Sequence, residues 1–355
     1  MSEEYFTNRL DRYMSFTNGG GGLVDFYAEL CDVMCKYASK YDENWHDSAS
    51  LTSLLPSDNV FTKKQLLEDS LIHLFNGERF DGANTDNSPK PVAYAVPTFQ
   101  MPESFLGRQL RFPSDAHTTR NLLQSALDNE TSLSVRLSSA YLNLTPNLLS
   151  TLRKFGKSKT DRLIDDAAVD DNSSVYILTA GMISHGFAKR QKTSKRSNGI
   201  VSRIKDSIPD AFLSIVNKIA ELIVDRGGKV LLYERAGWTF HAKGLWIATD
   251  EQQSRVRHKQ REIIHDPSSL VSTIIGSGNY GARSEDLDVE SNLVLVFNDL
   301  TDPSGEESSL EVKRKIAEEW NDMCRHSNEL KKTNPSIGAE HRIMELLLGL
   351  LKRFL

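Results

Sequence analysis

The stretch Trp238-Thr239-Phe240-His241-Ala242-Lys243-Gly244-Leu245-Trp246-Ile247 decides how the rest of the chain is read. It is rich in aromatic and branched residues with period-two alternation, so it is expected as a strand. Residues i and i+2 of a strand share a face. His241 and Lys243 are therefore expected to point one way, and Phe240, Ala242 and Gly244 the other. An imidazole beside an ammonium suits phosphoryl chemistry, because lysine neutralises phosphate charge while histidine makes or breaks a bond to phosphorus. Taken alone, His241 reads as a buried core histidine with its hydrogen bonds satisfied.

The residues downstream change that reading. Ile274-Ile275 is expected as a neighbouring strand that ends in Gly276-Ser277-Gly278-Asn279. Such a turn offers backbone N–H groups, the Ser277 hydroxyl and the Asn279 amide to phosphate oxygens. Arg283-Ser284 and Asp288-Val289-Glu290 follow, and Val289–Phe297 is a further strand candidate. A carboxylate on the far nitrogen of His241 would fix its tautomer and raise its basicity, a role assigned here to Glu290.

Composition sets bounds around this stretch. A chain of 355 residues can bury a core in one large or two modest domains. Its 39% hydrophobic and 26% charged residues are ordinary for a globular protein, and a net charge of −5 confines any attraction for phosphate to a local patch. Cys31, Cys35 and Cys324 are too few and too poorly spaced for a disulfide framework or a zinc site. No Asp/Glu/His cluster shows clear metal spacing, so neither metal nor cofactor is expected. No apolar run reaches about 18 residues, so no transmembrane helix is expected. Met1-Ser2-Glu3-Glu4 begins no signal peptide, and no Arg-rich presequence is visible.

Along the chain, Tyr5–Tyr13 reads as a strand approach and Gly19–Gly22 as a break. Leu23–Tyr41 is expected as an amphipathic helix carrying Val24, Tyr27, Leu30, Met34 and Tyr37 on one side, with Cys31 and Cys35 as core thiols. Phe61–Phe75 and Ala116–Leu127 are further helices, and Val92–Gln100, Leu133–Leu137, Val175–Thr179 and Lys229–Glu234 are strands. Thr145 and Pro146 are an N-cap and first helical residue. Pro209–Val224 is a helix closed by Gly227-Gly228. His185, His258 and His265 are read as loop or surface residues, Arg255–His265 as an insertion, and Val312–Met323 as a helix. Residues 189–205 carry seven basic side chains and no acid, and read first as a solvated loop; the functional alternative is a lid over a pyrophosphate or an anionic lipid surface, and nucleic acid fits less well because interleaved aromatics are missing. Ile343–Leu355 is a short apolar helix, suited to core docking or a membrane interface.

His241-x-Lys243 with Gly276-Ser277-x-Asn279 and a later carboxylate resembles a half-site of the phospholipase D superfamily. Ala248 stands where that superfamily often has aspartate. The stretches 239–246 and 276–290 more closely resemble the second half-site of eukaryotic phosphatidylglycerophosphate synthases, which also lack that aspartate. Residues 5–13 resemble the end of the first half-site in the same family, with Asp11 spaced as Glu290 is from Asn279, and Ser139–Thr145 resembles another of its segments. Residues 180–187 keep only Ala180, Gly186 and Phe187 of the family pattern.

The resemblance implies an α/β fold: a phospholipase D-like lobe with a mixed sheet flanked by helices, plus the tail of a first lobe and C-terminal helices. Residues 1–84 would be the remnant of the first lobe and connecting helices, 85–300 the second lobe, and 301–355 a C-terminal helical segment. It implies transfer of a phosphatidyl group from CDP-diacylglycerol to glycerol 3-phosphate through a phosphohistidine. His241 would be the second histidine, with Lys243 and Glu290 also catalytic and Ser277, Asn279, Arg283 and Asp11 binding substrate. It further implies a peripheral protein on the matrix side of the mitochondrial inner membrane. The sequence contains one H-x-K, which leaves open a catalytically impaired lipid-binding fragment, or a homodimeric phosphodiesterase that uses one half-site per chain.

Overall fold

The computed structural model describes residues 8–16, 21–37, 57–76, 92–101, 114–128, 133–156, 175–186, 200–249, 262–298 and 303–330. Most of the basic run 189–205, His258 and the apolar stretch 343–355 lie outside these residues. In chain order the elements are β1 (Arg9–Leu10), α1 (Gly21–Tyr37), α2 (Ser57–Asn76), β2 (Ala93–Gln100), α3 (Asp115–Asp128), β3 (Leu133–Ser139), α4 (Pro146–Phe155), β4 (Val175–Ala180) and α5 (Ile200–Val224). They continue with β5 (Lys229–Tyr233), β6 (Thr239–Phe240), β7 (Gly244–Thr249), β8 (Leu270–Gly276), α6 (Ala282–Asp286), β9 (Glu290–Phe297), α7 (Pro303–Arg325) and β10 (Ser327–Glu329).

Eight strands form one mixed sheet in the order β10-β5-β4-β3-β7-β8-β9-β2. The β3–β4 and β4–β5 pairs are parallel and the others antiparallel. Period-two alternation divides each central strand between two cores. Val135 and Leu137, Val175 and Ile177, and Leu245 and Ile247 enter a core with Leu123 of α3, Leu148 and Leu152 of α4, and Phe212 and Val216 of α5. Tyr176, Leu178 and Trp246 face the other way, onto Ile316, Ala317 and Trp320 of α7. A mixed sheet covered on both faces is the α/β architecture expected from the sequence.

Several local expectations hold. Thr145 caps α4 by accepting from Leu148 N, with Pro146 behind it. Gly227 has φ +82, and the N–H groups of Gly227 and Gly228 close α5 on the carbonyls of Val224 and Ile223. Other expectations are corrected. The helix ending at Val224 starts at Ile200 rather than Pro209; Pro209 sits inside it and forfeits one backbone bond. In α1 the buried residues are Phe26 and Leu30, with Tyr27, Val33 and Met34 partly buried against α2, while Val24 is 66% exposed. Cys31 and Cys35 are exposed, not core. His185 is a loop residue but buried, packed on Tyr141 and Phe212. His265 is exposed, as expected.

Candidate active site

The segment that carries His241 is not one continuous strand. β6 ends at Phe240 and β7 begins at Gly244. His241, Ala242 and Lys243 bridge the two, with the Ala242 carbonyl accepting from Ser138 Oγ at 2.9 Å. The break has a cause in the pairing. β6 runs parallel to β1 and β7 antiparallel to β3, so the chain passes from one sheet to the other between them. The turn after β8 and the start of β9 lie beside this bridge, because Gly244 pairs with Ile275 and Gly276 with Asn292.

The expected neighbourhood of His241 and Lys243 survives the irregular backbone. Lys243 Nζ lies 3.0 Å from His241 Nε2 and 2.9 Å from Nδ1, and donates to the His241 carbonyl at 2.8 Å. The carboxylate on the ring is a different one from that expected. His241 Nδ1 is 2.7 Å from Asp11 Oδ1, whereas Glu290 accepts from Ser277 Oγ at 2.5 Å and from Ser284 Oγ at 3.2 Å. Glu290 is thus occupied by the turn it follows, and Asp11 reaches the ring because β1 docks on β6. A carboxylate only accepts, so Nδ1 carries the proton and Nε2 keeps its lone pair. Burial lowers the His241 pKa, with Lys243 and Arg9 adding to the effect and Asp11 opposing it. The ring is therefore neutral at pH 7, the form that can attack or take a proton. Burial also brings Lys243 down to about 8, against the pull of Asp11.

The turn after β8 is held by side chains that the sequence reading passed over. Asn292 Oδ1 accepts from Gly278 N at 3.2 Å, and Asn292 Nδ2 donates to Asp115 Oδ2 at 2.9 Å. Thr98 donates to the other oxygen of Asp115. A Cβ on Gly276 would come within 2.1 Å of Asn292 Oδ1, so glycine is required there by the close approach of Asn292. Burial raises the Asp115 carboxyl to about 6, with Glu290 adding to the rise and the Thr98 and Asn292 hydrogen bonds opposing it. Ser277 Oγ also accepts from Ser291 N, and Ser284 Oγ accepts from Asn279 N, both at 3.1 Å. Asn279 Oδ1 is buried without a partner. Arg283 is 53% exposed and pairs with Asp288 at 3.2 Å. Asn292 was findable from sequence: it lies two residues after Glu290 and so shares its strand face.

Arg12 is a further residue the sequence reading missed. Its side chain is 2% exposed, and the guanidinium meets both carboxylate oxygens of Glu319 in α7 at 2.9 Å. Nη1 donates to the carbonyls of Ile274 at 2.7 Å and Lys243 at 3.4 Å. The carbon Cζ lies 4.0 Å over the Trp246 ring. A Cβ on Gly244 would come 1.8 Å from Arg12 Nη1. A lone glycine opening a strand is the signal that could have exposed this, since it marks a close approach.

No family model matches the chain. Among solved structures, it is similar to a phosphatidylserine synthase of Haemophilus influenzae Rd KW20, with TM-score 0.48 and 15% identity over 92% of this chain and 59% of that one. It is also similar to Nuc, a phospholipase D family member of Salmonella typhimurium, with TM-score 0.32 and 15% identity over 68% of this chain and 99% of that one. Curated relatives are more specific. The chain is 23% identical over 370 residues to a CDP-diacylglycerol–glycerol-3-phosphate 3-phosphatidyltransferase of Saccharomyces pastorianus, covering 98% of this chain and 61% of the relative. It is 25% identical over 322 residues to the mitochondrial protein of that name in Homo sapiens, covering 83% and 48%. The Saccharomyces cerevisiae protein of that name is 22% identical over 315 residues, covering 84% and 53%. The chain is similar to these phosphatidyltransferases and spans about half the length of the curated relatives it matches.

Proposed function

We propose that this site serves phosphatidyl transfer from CDP-diacylglycerol to glycerol 3-phosphate, giving phosphatidylglycerophosphate and CMP. The observation that carries the reading is the geometry at His241, with Nδ1 2.7 Å from Asp11 Oδ1 and Nε2 3.0 Å from Lys243 Nζ. Over the reaction the phosphorus–oxygen bond to CMP breaks and one to the glycerol hydroxyl forms. The hydroxyl gives up a proton and the departing CMP oxygen is neutralised by one. A neutral imidazole with a bare Nε2 can accept that proton, and the imidazolium it becomes is stabilised by Asp11. Lys243 and the Asn279 amide are suited to the charge on phosphate oxygens, whereas the N–H groups of Ser277, Gly278 and Asn279 are spent on Ser291 O, Asn292 Oδ1 and Ser284 Oγ and shape the turn. The names of the curated relatives support the choice of substrates.

In this reading 85–300 forms the lobe that carries the half-site, with 1–84 and 301–355 flanking it. Among the described residues no helix is long and apolar enough to cross a membrane. The basic run 189–205 and the apolar stretch 343–355 are the parts of the sequence suited to an anionic bilayer, which fits peripheral attachment at the mitochondrial inner membrane. Co-sedimentation with anionic vesicles should weaken at high salt and on deletion of 343–355.

The activity is tested by CMP release from CDP-diacylglycerol with glycerol 3-phosphate, using the protein expressed from its full gene. His241→Ala should lower the rate by about 10³-fold or more. Turnover that survives this substitution would overturn the reading.

A further inference from the structure

The segment that brings Asp11 to the imidazole has little secondary structure of its own. β1 pairs with β6 over two residues, through Thr239 N to the Asn8 carbonyl at 2.7 Å and His241 N to the Leu10 carbonyl at 2.9 Å. A ladder this short does not fix its own register. Leu10 and Met14 add partly buried apolar contacts, which are tolerant of a slip, and Tyr13 is 80% exposed. Arg12 supplies what the ladder lacks. Its guanidinium reaches strand carbonyls on β8 and before β7, lies on Trp246 and forks onto Glu319, in the slot that Gly244 leaves open. The planar fork accepts one placement, so the residue before it is placed too.

We propose that Arg12 is a positioning residue for His241: by locking the segment between β7, β8 and α7, it holds Asp11 against the imidazole and thereby selects the Nδ1–H tautomer. Two consequences follow from the geometry. Glu319 belongs to the same device although it is remote in sequence, on the helix α7 that covers the Trp246 face of the sheet, and Trp320 beside it backs Trp246 at 5.0 Å. Gly244 is needed for Arg12 as much as for its own strand, since any side chain there displaces the guanidinium.

The inference rests on His241 being the reacting group, but its test needs no turnover. Ring ¹⁵N spectra of histidine-labelled protein, assigned with His241→Gln, report which nitrogen of His241 carries the proton. Wild type should show a protonated Nδ1 and a bare Nε2. Arg12→Met should move the ring toward the Nε2–H form that imidazole prefers in water, and Arg12→Lys should lie between, because an ammonium keeps the charge without the fork. Where turnover is measurable, kcat should fall about 10–100-fold with KM within about twofold. If near-UV circular dichroism shows that Arg12→Met does not fold, Glu319→Gln should give the same displacement at smaller size. A folded Arg12→Met that keeps Nδ1 protonated overturns the inference, as does an unshifted Glu319→Gln if only that variant folds. Absent CMP release by the wild-type protein sinks the phosphatidyl-transfer reading instead and leaves the tautomer readout intact.

Discussion

His241 and Lys243 on one side of the site, and Ser277 and Asn279 on the other, come from neighbouring strand ends, yet their supports differ in kind. The His241 ring is held by Asp11, which is remote in sequence and is itself set beside the buried Arg12–Glu319 pair. The turn is held by residues that follow it closely, Ser284, Glu290 and Asn292, with Asp115 and Thr98 behind. The first support is a chain of charges across the sequence. The second is a local network of hydroxyls, amides and backbone N–H groups ending on two carboxylates, Glu290 and Asp115. Damage to the first should therefore appear in the protonation of His241 and in rate, and damage to the second in stability and phosphate binding.

The largest effect should come from Asp11→Asn. The amide can sit in the same place, but it no longer demands a protonated Nδ1, and a wrong tautomer leaves no base at Nε2. The kcat of CMP release should fall on the order of 10³-fold while the melting temperature changes little. A rate within tenfold of wild type would mean that Asp11 does not set the ring, and the contrast between the two supports would collapse.

Asn292→Ala should act on the other side. It leaves Gly278 N and Asp115 Oδ2 without their partner, and each buried unsatisfied group costs about 1–3 kcal/mol. A loss of roughly 2–4 kcal/mol in urea unfolding is expected, with the His241 tautomer unchanged. A displaced tautomer would show that the two supports are one network.

Much of this was legible in the sequence. The pair His241 and Lys243, the turn at Gly276–Asn279 and the strand that opens at Glu290 follow from spacing and residue type, and the structure places them side by side. The partner of the ring was misread because the period-two reading treats 238–247 as one strand and looks for a carboxylate on the neighbouring strands. The chain leaves β6 after Phe240, and β1 comes in parallel to it from far upstream. Long-range parallel pairing of two residues leaves no local signature. Arg12 was missed for the opposite reason: a lone arginine in a polar stretch looks solvated, and only the absent Cβ at Gly244 hints that it is buried.

Lys243→Ala should have an intermediate effect. Loss of an ammonium that pairs with phosphate should weaken binding of CDP-diacylglycerol in micelles by about 2 kcal/mol. It should also raise the His241 pKa, because Lys243 is one of the groups that depress it. Equal affinities for wild type and variant would remove Lys243 from the phosphate site.

The smallest effect, opposite in sign, is expected from Asp115→Asn. The fold raises this carboxyl from 3.8 to about 6, chiefly by burial. The folded state therefore holds a proton that the unfolded chain has released between those values. The stabilisation is complete below about pH 3.8, fades as pH rises toward 6, and is absent above it. Asparagine imitates the protonated form. Its oxygen can accept from Asn292 Nδ2 while its nitrogen donates to Thr98 Oγ1, whose hydroxyl turns to the Asn292 carbonyl at 3.3 Å. The shift corresponds to at most about 3 kcal/mol, reduced by the loss of a negative charge in the first turn of α3 and of two charge-assisted bonds. A net gain of about 1 kcal/mol at pH 7 should remain, with a flatter stability profile between pH 4 and 6. If the variant keeps the wild-type slope across that window, the Asp115 carboxyl does not set it, and its place behind the turn is structural alone.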